Sequence, residues 1–312
     1  MKWKMVIMPH AILMGHDVTK IGGRGMQQAK YISVKGAVDL HVHAGEPCCV
    51  KKPFTDVFVA QQAAAAGMEA LVLKSAYENT VARAYYVNQI VPTIKLFGGI
   101  TLNRYVGGLN PSAVEAVLLA GGREVWMPTF DSAHYIEVFG NLGTYDIGKG
   151  YRVIEDGRLK EEAREIVRLV AKHNAILACG HLYKEEIFEL ARFANQEGAK
   201  MLVDHAFYTV PGFTYDEIDQ LKELTRLGAY IGLFAVLVFP RVAPKVNLDG
   251  DKKCIETLSP EHCVICSDTG AGASPFPSEA LRTYAQNLFD LGIPLDALEL
   301  MMIKNPRKLL SL

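Results

Sequence analysis

From residue 36 onward, short runs rich in apolar and β-branched residues alternate with longer segments of helical period. That alternation is the pattern of a parallel sheet whose strands are joined by crossover helices. Eight candidate strands can be counted, over residues 36–45, 70–77, 95–103, 124–130, 175–182, 199–206, 229–236 and 263–270. Between them, residues 54–67, 111–121, 161–173, 184–198 and 215–228 carry apolar side chains at three-and-four spacing, and several of these segments end in glycine, a common helix stop. Asn110 ahead of Pro111 reads as a helix start, with asparagine as N-cap and proline in the first helical position. Eight strands are the number that closes a barrel, whereas an open doubly wound sheet usually has fewer strands and a glycine-rich phosphate turn after the first. No such turn is present. The expected fold is therefore α/β, a (β/α)8 TIM barrel over residues 36–312. An extension without clear period, residues 1–35, precedes it and is expected to cover the barrel bottom or an oligomer interface. Residues 140–158 are too glycine-rich for a helix and contain Asp156-Gly157, a hairpin signal, so they read as a small insertion after the fourth strand.

A chain of 312 residues, 50% of them hydrophobic and 21% charged, is long enough for one such core. Its 33 basic and 34 acidic residues are spread evenly and include no basic block able to neutralise a phosphate backbone, which argues against nucleic acid and for a small-molecule substrate. Lys2 and Lys4 precede an apolar run from Met5 to Met14, but Pro9 and His10 interrupt it and no small-residue cleavage site follows. No segment reaches the roughly 20 apolar residues that span a bilayer. The expectation is a soluble cytoplasmic protein with no membrane partner, whose six cysteines are reduced thiols and neither a disulfide framework nor a zinc finger.

The candidate chemistry sits at strand ends. His41 and His43 stand at i and i+2 near the end of the first strand, so their imidazoles share a face, while Leu40 and Val42 should turn towards the helices. His181, His205 and Asp268 stand near the ends of the fifth, sixth and eighth strands. In a barrel these C-terminal ends converge on one mouth, where active sites of this fold lie. A lone His-x-His is equally often a pair of hydrogen-bonded core residues; four strand ends in agreement are what favour a metal. Several imidazoles with one carboxylate make a borderline-soft site that suits zinc, and also iron, manganese or nickel. Lys74, at the end of the second strand, would attract an anionic substrate or, if carboxylated, bridge two metals. Glu46, Glu78 and Asn103 follow strand ends, and Asp131 and His134 lie in the loop after the fourth strand; these are weaker candidates for substrate contact.

This constellation resembles the amidohydrolase superfamily, in which a strand-one His-x-His, histidines on strands five and six and an aspartate on strand eight form the metal and catalytic centre. The tail KNPRKLLSL resembles the Asn-Pro segment that often closes those barrels, and GGITLNRYVGGLNP and GGREVWMPTFDS look closest to an uncharacterised amidohydrolase-like subgroup. The resemblance implies that His41, His43 and His181 are metal ligands and that His205 is a ligand or a base near the substrate. It further implies that Asp268 binds metal and takes a proton from the attacking water. It also implies a metal-dependent hydrolase of amides, lactones, esters or phosphoesters, and a chain that pairs into a homo-oligomer. The fourth strand, EVWMPTF, ends without the carboxylated lysine or glutamate that usually bridges two metals, so one metal per chain is expected. The same absence leaves two alternatives open, a mononuclear decarboxylase or other lyase and a barrel that binds metal or ligand without turnover.

Overall fold

A computed structural model describes residues 31–45, 54–141, 147–239, 246–270, 272 and 274–312. All eight expected strands form, most of them shorter than their sequence patterns. They are β1 (Val38–His43), β2 (Ala70–Lys74), β3 (Lys95–Thr101), β4 (Glu124–Trp126), β7 (Ile176–Ala178), β8 (Lys200–Val203), β9 (Ala229–Phe234) and β10 (Cys263–Cys266). They hydrogen-bond in parallel in chain order, β1-β2-β3-β4-β7-β8-β9-β10. Beyond the last regular strand the ring closes through the backbone, where Asp268 N donates to His41 O at 3.0 Å and His43 N donates to Thr269 O at 2.8 Å. The fold is a (β/α)8 barrel. Two further short strands, β5 (Ile154–Glu155) and β6 (Arg158–Leu159), make an antiparallel hairpin outside the barrel sheet. It turns at Asp156 and Gly157, both at positive φ (48° and 73°), as a two-residue hairpin loop requires.

The helices that cover the barrel form where apolar spacing and caps coincide. Helix α3 (Pro111–Leu119) starts as its sequence indicates: the Asn110 side chain accepts from Ala113 N, Pro111 fills the first position, and Val114, Val117 and Leu118 face the sheet. Helices α5 (Glu161–Lys172) and α6 (Lys184–Glu197) present Ile166, Val167 and Val170, and Ile187, Leu190 and Ala191, in the same way. Alternation along each strand then separates two apolar layers. Leu71, Leu73, Val125, Leu177, Met201 and Val203 pack outward against helices. Val38, Ala70, Val72, Trp126, Ile176, Ala178, Leu202, Phe234 and Val264 fill the lumen, joined by Leu309 and Leu310 of α11 (Asn305–Leu310).

One departure from strict alternation matters for function. Asp39 pairs with Leu71 and Val42 pairs with Leu73, so Leu40 and His41 together face the single residue Val72 in a β-bulge. The expectation that Leu40 points towards the helices is thereby corrected. Leu40 packs in the lumen, and the extra residue lets His41 face inward as well, against Trp126 and Phe234.

Among the described residues no helix is long and apolar enough to cross a membrane. Cys179, Cys254, Cys263 and Cys266 are free and buried; Cys48 and Cys49 lie outside the described residues. Most of the 1–35 extension also lies outside them, although Ile32 and Val34 are already buried in the core. The Asn-Pro tail fixes the lower rim, because buried Asn305 donates from Nδ2 to the carbonyls of Pro260 and Cys263 at 2.8 and 2.7 Å. Asn305→Ala removes the donor from both acceptors and should cost about 1–3 kcal/mol. The check is a lower urea midpoint at unchanged denaturant slope.

Candidate metal centre at the barrel mouth

His41, His43 and Asp268 are held together by the seam between the first and last strands. The Asp39 carboxylate, fully buried, accepts from His41 N at 3.2 Å and from Ser267 N at 3.0 Å, and so ties the bulge to the residue before Asp268. Asp268 itself adopts φ 51°, a left-handed conformation that turns its carboxylate back into the mouth. There its Oδ1 stands 3.1 Å from His43 Nε2 and 3.4 Å from His41 Nε2. The possible ligand atoms of the three residues all lie within 4.8 Å of one another.

His181 and His205 approach from the next two turns, beyond the strand ends and not on the strands themselves. His181 follows Gly180, whose φ is 59° and where a Cβ would stand 2.3 Å from Met127 O; His181 N then donates to Pro128 O. His205 has φ 27°, another left-handed residue at the site. The two rings lie 4.9 Å apart, and His205 is 6.0 Å from His41 between ring centres. His43, Lys74, His181, His205 and Asp268 line a single cavity of about 260 Å³ with Ala76, Thr129, Phe130, Tyr208, Val236 and Leu237; His41 lies beneath it, fully buried.

Burial sets the charge state. Desolvation lowers His43 and His205 to about 4 and His41 to about 3, with the Lys74 charge adding to the effect at His41, and His181 is also held well below the usual histidine range. The four imidazoles are neutral at pH 7 and keep lone pairs for a metal. Burial would raise the Asp268 carboxyl, but the surrounding imidazoles, His43 by a direct hydrogen bond, outweigh it and keep Asp268 ionised. The Nδ1 atoms of His41, His181 and His205 are buried without a hydrogen-bond partner. Neutral nitrogens converging with one carboxylate are a donor set into which a divalent cation fits.

Lys74 stands inside this cluster. Its Nζ is 3.0 Å from His41 Nε2 and 5.7 Å from the centre of the Trp126 ring. Burial lowers its pKa, against the raising effect of Asp204, Asp268 and Glu124. Glu124, at the start of β4, is fully buried with neither carboxylate oxygen paired; burial and the charge of Asp204 raise it well above the usual range.

The weaker candidates fall elsewhere. Asn103 spends its amide on structure, donating to Ala76 O and Thr129 Oγ1 and accepting from Thr129 N, so it fixes a wall residue of the cavity without lining it. Asp131 accepts from Arg104 N, Glu78 pairs with Arg83, and His134 stacks on Tyr183; none of them lines the mouth cavity. Glu46 lies outside the described residues. Conversely, Asp39, Glu124, Asp204 and Tyr208 escaped the sequence reading, which stopped at strand ends. Tyr208, three residues after His205, lines the cavity with its ring 5.7 Å from that histidine.

Fold and strand-end site together define a (β/α)8 barrel with a candidate metal centre at its mouth. The chain belongs to DUF6282, a family of unknown function, whose model matches residues 36–232. No curated protein sequence matches it. It is similar in structure to an amidohydrolase from Pseudomonas aeruginosa, at 12% identity and a TM-score of 0.56 over 88% of this chain and 97% of that one. It is similar also to the lactonase Lmo2620 from Listeria monocytogenes, at 13% identity and TM-score 0.59 over 89% and 95%. A third is 2,6-dihydroxybenzoate decarboxylase from Rhizobium, at 10% identity and TM-score 0.55 over 89% and 99%. At such identities the likeness establishes the fold.

The seam has one position that tolerates no side chain. Gly270 has φ 107°, and a Cβ there would stand 1.5 Å from His43 O. Gly270→Ala should therefore lower Tm by more than Gly140→Ala, a glycine of φ 79° with open space around it, where only the ~1–3 kcal/mol of backbone strain applies. Equal losses in thermal melts of the two variants would contradict a tight seam.

Proposed function

We propose that the chain is a metal-dependent hydrolase acting on a carbonyl or phosphoryl centre, an amide, lactone, ester or phosphoester, with one divalent ion per chain. The observation that supports this reading is the convergence of His41, His43 and Asp268 within 4.8 Å beside a cavity that His181 and His205 also line. With His41, His43, His181 and Asp268 as ligands, zinc suits the three imidazoles and carboxylate best; iron, manganese and nickel are compatible. When bound, such an ion polarises the substrate oxygen and lowers the pKa of water towards neutrality. Asp268, ionised among neutral imidazoles, accepts the proton of the attacking water and returns it to the leaving group. His205 offers a ring N–H to the developing oxyanion from the same cavity. Asp268→Asn keeps fold and most of the metal and lowers turnover by roughly 10²–10⁴-fold. The assay is a panel of activated esters, lactones and phosphoesters with metal-loaded protein, and near-normal turnover in the variant removes Asp268 from that role.

The single-metal reading rests on Lys74. Its depressed pKa meets one condition for carboxylation, yet Asp204, Asp268 and Glu124 already surround it, and a carbamate would add a further anion to that group. An ammonium neutralises the cluster instead. Apoprotein reconstituted with excess zinc should retain one ion per chain after desalting, with or without bicarbonate. A count near two that requires bicarbonate and disappears in Lys74→Ala would establish the bridge instead.

Lys74 also favours a second reading. A cationic side chain on the wall of the cavity can hold a substrate carboxylate, which suits a mononuclear decarboxylase. Release of CO2 from aromatic carboxylic acids, with no turnover of the ester panel, would select it.

A further inference from the structure

Resting on the metal-centre reading above, we infer that Asp204 is a positioning residue that fixes the metal-binding tautomer of His41 and, through its second oxygen, the turn that carries His181. The two nitrogens of His41 face different neighbours. Nε2 lies 3.0 Å from Lys74 Nζ and 3.4 Å from Asp268, on the side of the proposed ligands. A lysine ammonium has only hydrogens to offer, so Nε2 presents its lone pair there and the ring proton belongs on Nδ1.

Nδ1 faces Asp204 Oδ1 at 3.5 Å, and both atoms are buried with no other partner. At 3.5 Å the two atoms face each other at the outer limit of a hydrogen bond, and neither has another group to turn to. Asp204 Oδ2 meanwhile accepts from Gly180 N at 3.2 Å, one residue before His181, and Asp204 directly precedes His205. One fully buried carboxylate thus touches the segments that deliver three of the four imidazoles. A carboxylate behind a ligating imidazole orients the ring and raises its basicity, and loss of such a partner typically weakens metal binding about 10–100-fold.

The substitution that tests this is Asp204→Asn. An amide has one acceptor oxygen where the carboxylate has two, so it can satisfy either Gly180 N–H or His41 Nδ1–H. Taking Gly180 turns the NH2 towards His41 and drives the ring to the Nε2–H tautomer, which cannot bind metal through Nε2. Two measurements are needed: nitrogen chemical shifts of His41 in metal-free protein, which report the tautomer directly, and zinc affinity from chelator competition. Wild type should show Nδ1–H, and Asp204→Asn should show a shift towards Nε2–H with zinc binding weakened about 10–100-fold. Asp251→Asn, at a buried carboxylate held by Tyr215 and Tyr284 that does not line the mouth cavity, serves as control and should leave both readouts unchanged. Unchanged tautomer and affinity in Asp204→Asn, or an equal loss in Asp251→Asn, would overturn the assignment. The tautomer readout needs no metal, so it stands apart from a wild type that fails to retain zinc, a result that would count against the proposed function alone.

Discussion

The seam between the first and last strands is the interaction on which the rest depends. A barrel has no free sheet edge only if its ends meet, and here they meet late, through His41, His43, Asp268 and Thr269. The same backbone bonds that complete the sheet bring two imidazoles and a carboxylate into contact. Asp39 makes this possible by accepting from both sides of the seam, and the bulge at Leu40 and His41 supplies the extra residue that keeps a large apolar side chain and an imidazole on the inner face together. Closure and site geometry are thus one structural event, which explains why glycine follows Thr269 where the chains run closest.

Much of this was legible in the sequence because periodicity reports burial. The eight strands, the helix start at Asn110 and Pro111 and the hairpin at Asp156 and Gly157 rest on patterns only a few residues long, and local physics decides them. Helix α2 (Val81–Ile90) leaves no mark in the sequence, since only Ala84 and Val87 of its ten residues are buried and no apolar stripe announces it. Of the site, the residues with ligand chemistry at strand ends were readable. The bulge at Leu40 was not, because a register shift is a property of two strands and neither sequence carries it alone. Asn103 differs for a related reason: its position after a strand end suggests substrate, but its amide is consumed by Ala76 and Thr129 across 27 and 26 residues of sequence. Asp204 and Glu124 were invisible because nothing in a single chain marks a carboxylate as buried.

The lumen places charge where solvent cannot balance it. Burial raises Asp39 to about 7 and holds Glu124 well above the usual carboxylate range, while it keeps the imidazoles neutral. These shifts have opposite signs for stability. The histidines favour the fold above their unfolded pKa of about 6.5 and lose that contribution as pH falls towards 4, whereas the raised carboxyls weaken the fold as pH rises through about 7. The two trends oppose each other, so the metal-free barrel is most comfortable in the mildly acidic to neutral range.

The seam also orders events in time. His41 and His43 are made early, and Asp268 arrives more than two hundred residues later, with the lumen-filling Leu309 and Leu310 later still. A ribosome-bound chain that has exposed the first strand therefore presents two histidines without their carboxylate and without a closed barrel around them. Contacts of such long sequence separation carry the largest loop-closure cost and are intrinsically slow to form. The set proposed to hold the ion is thus complete only once nearly the whole barrel has been synthesised.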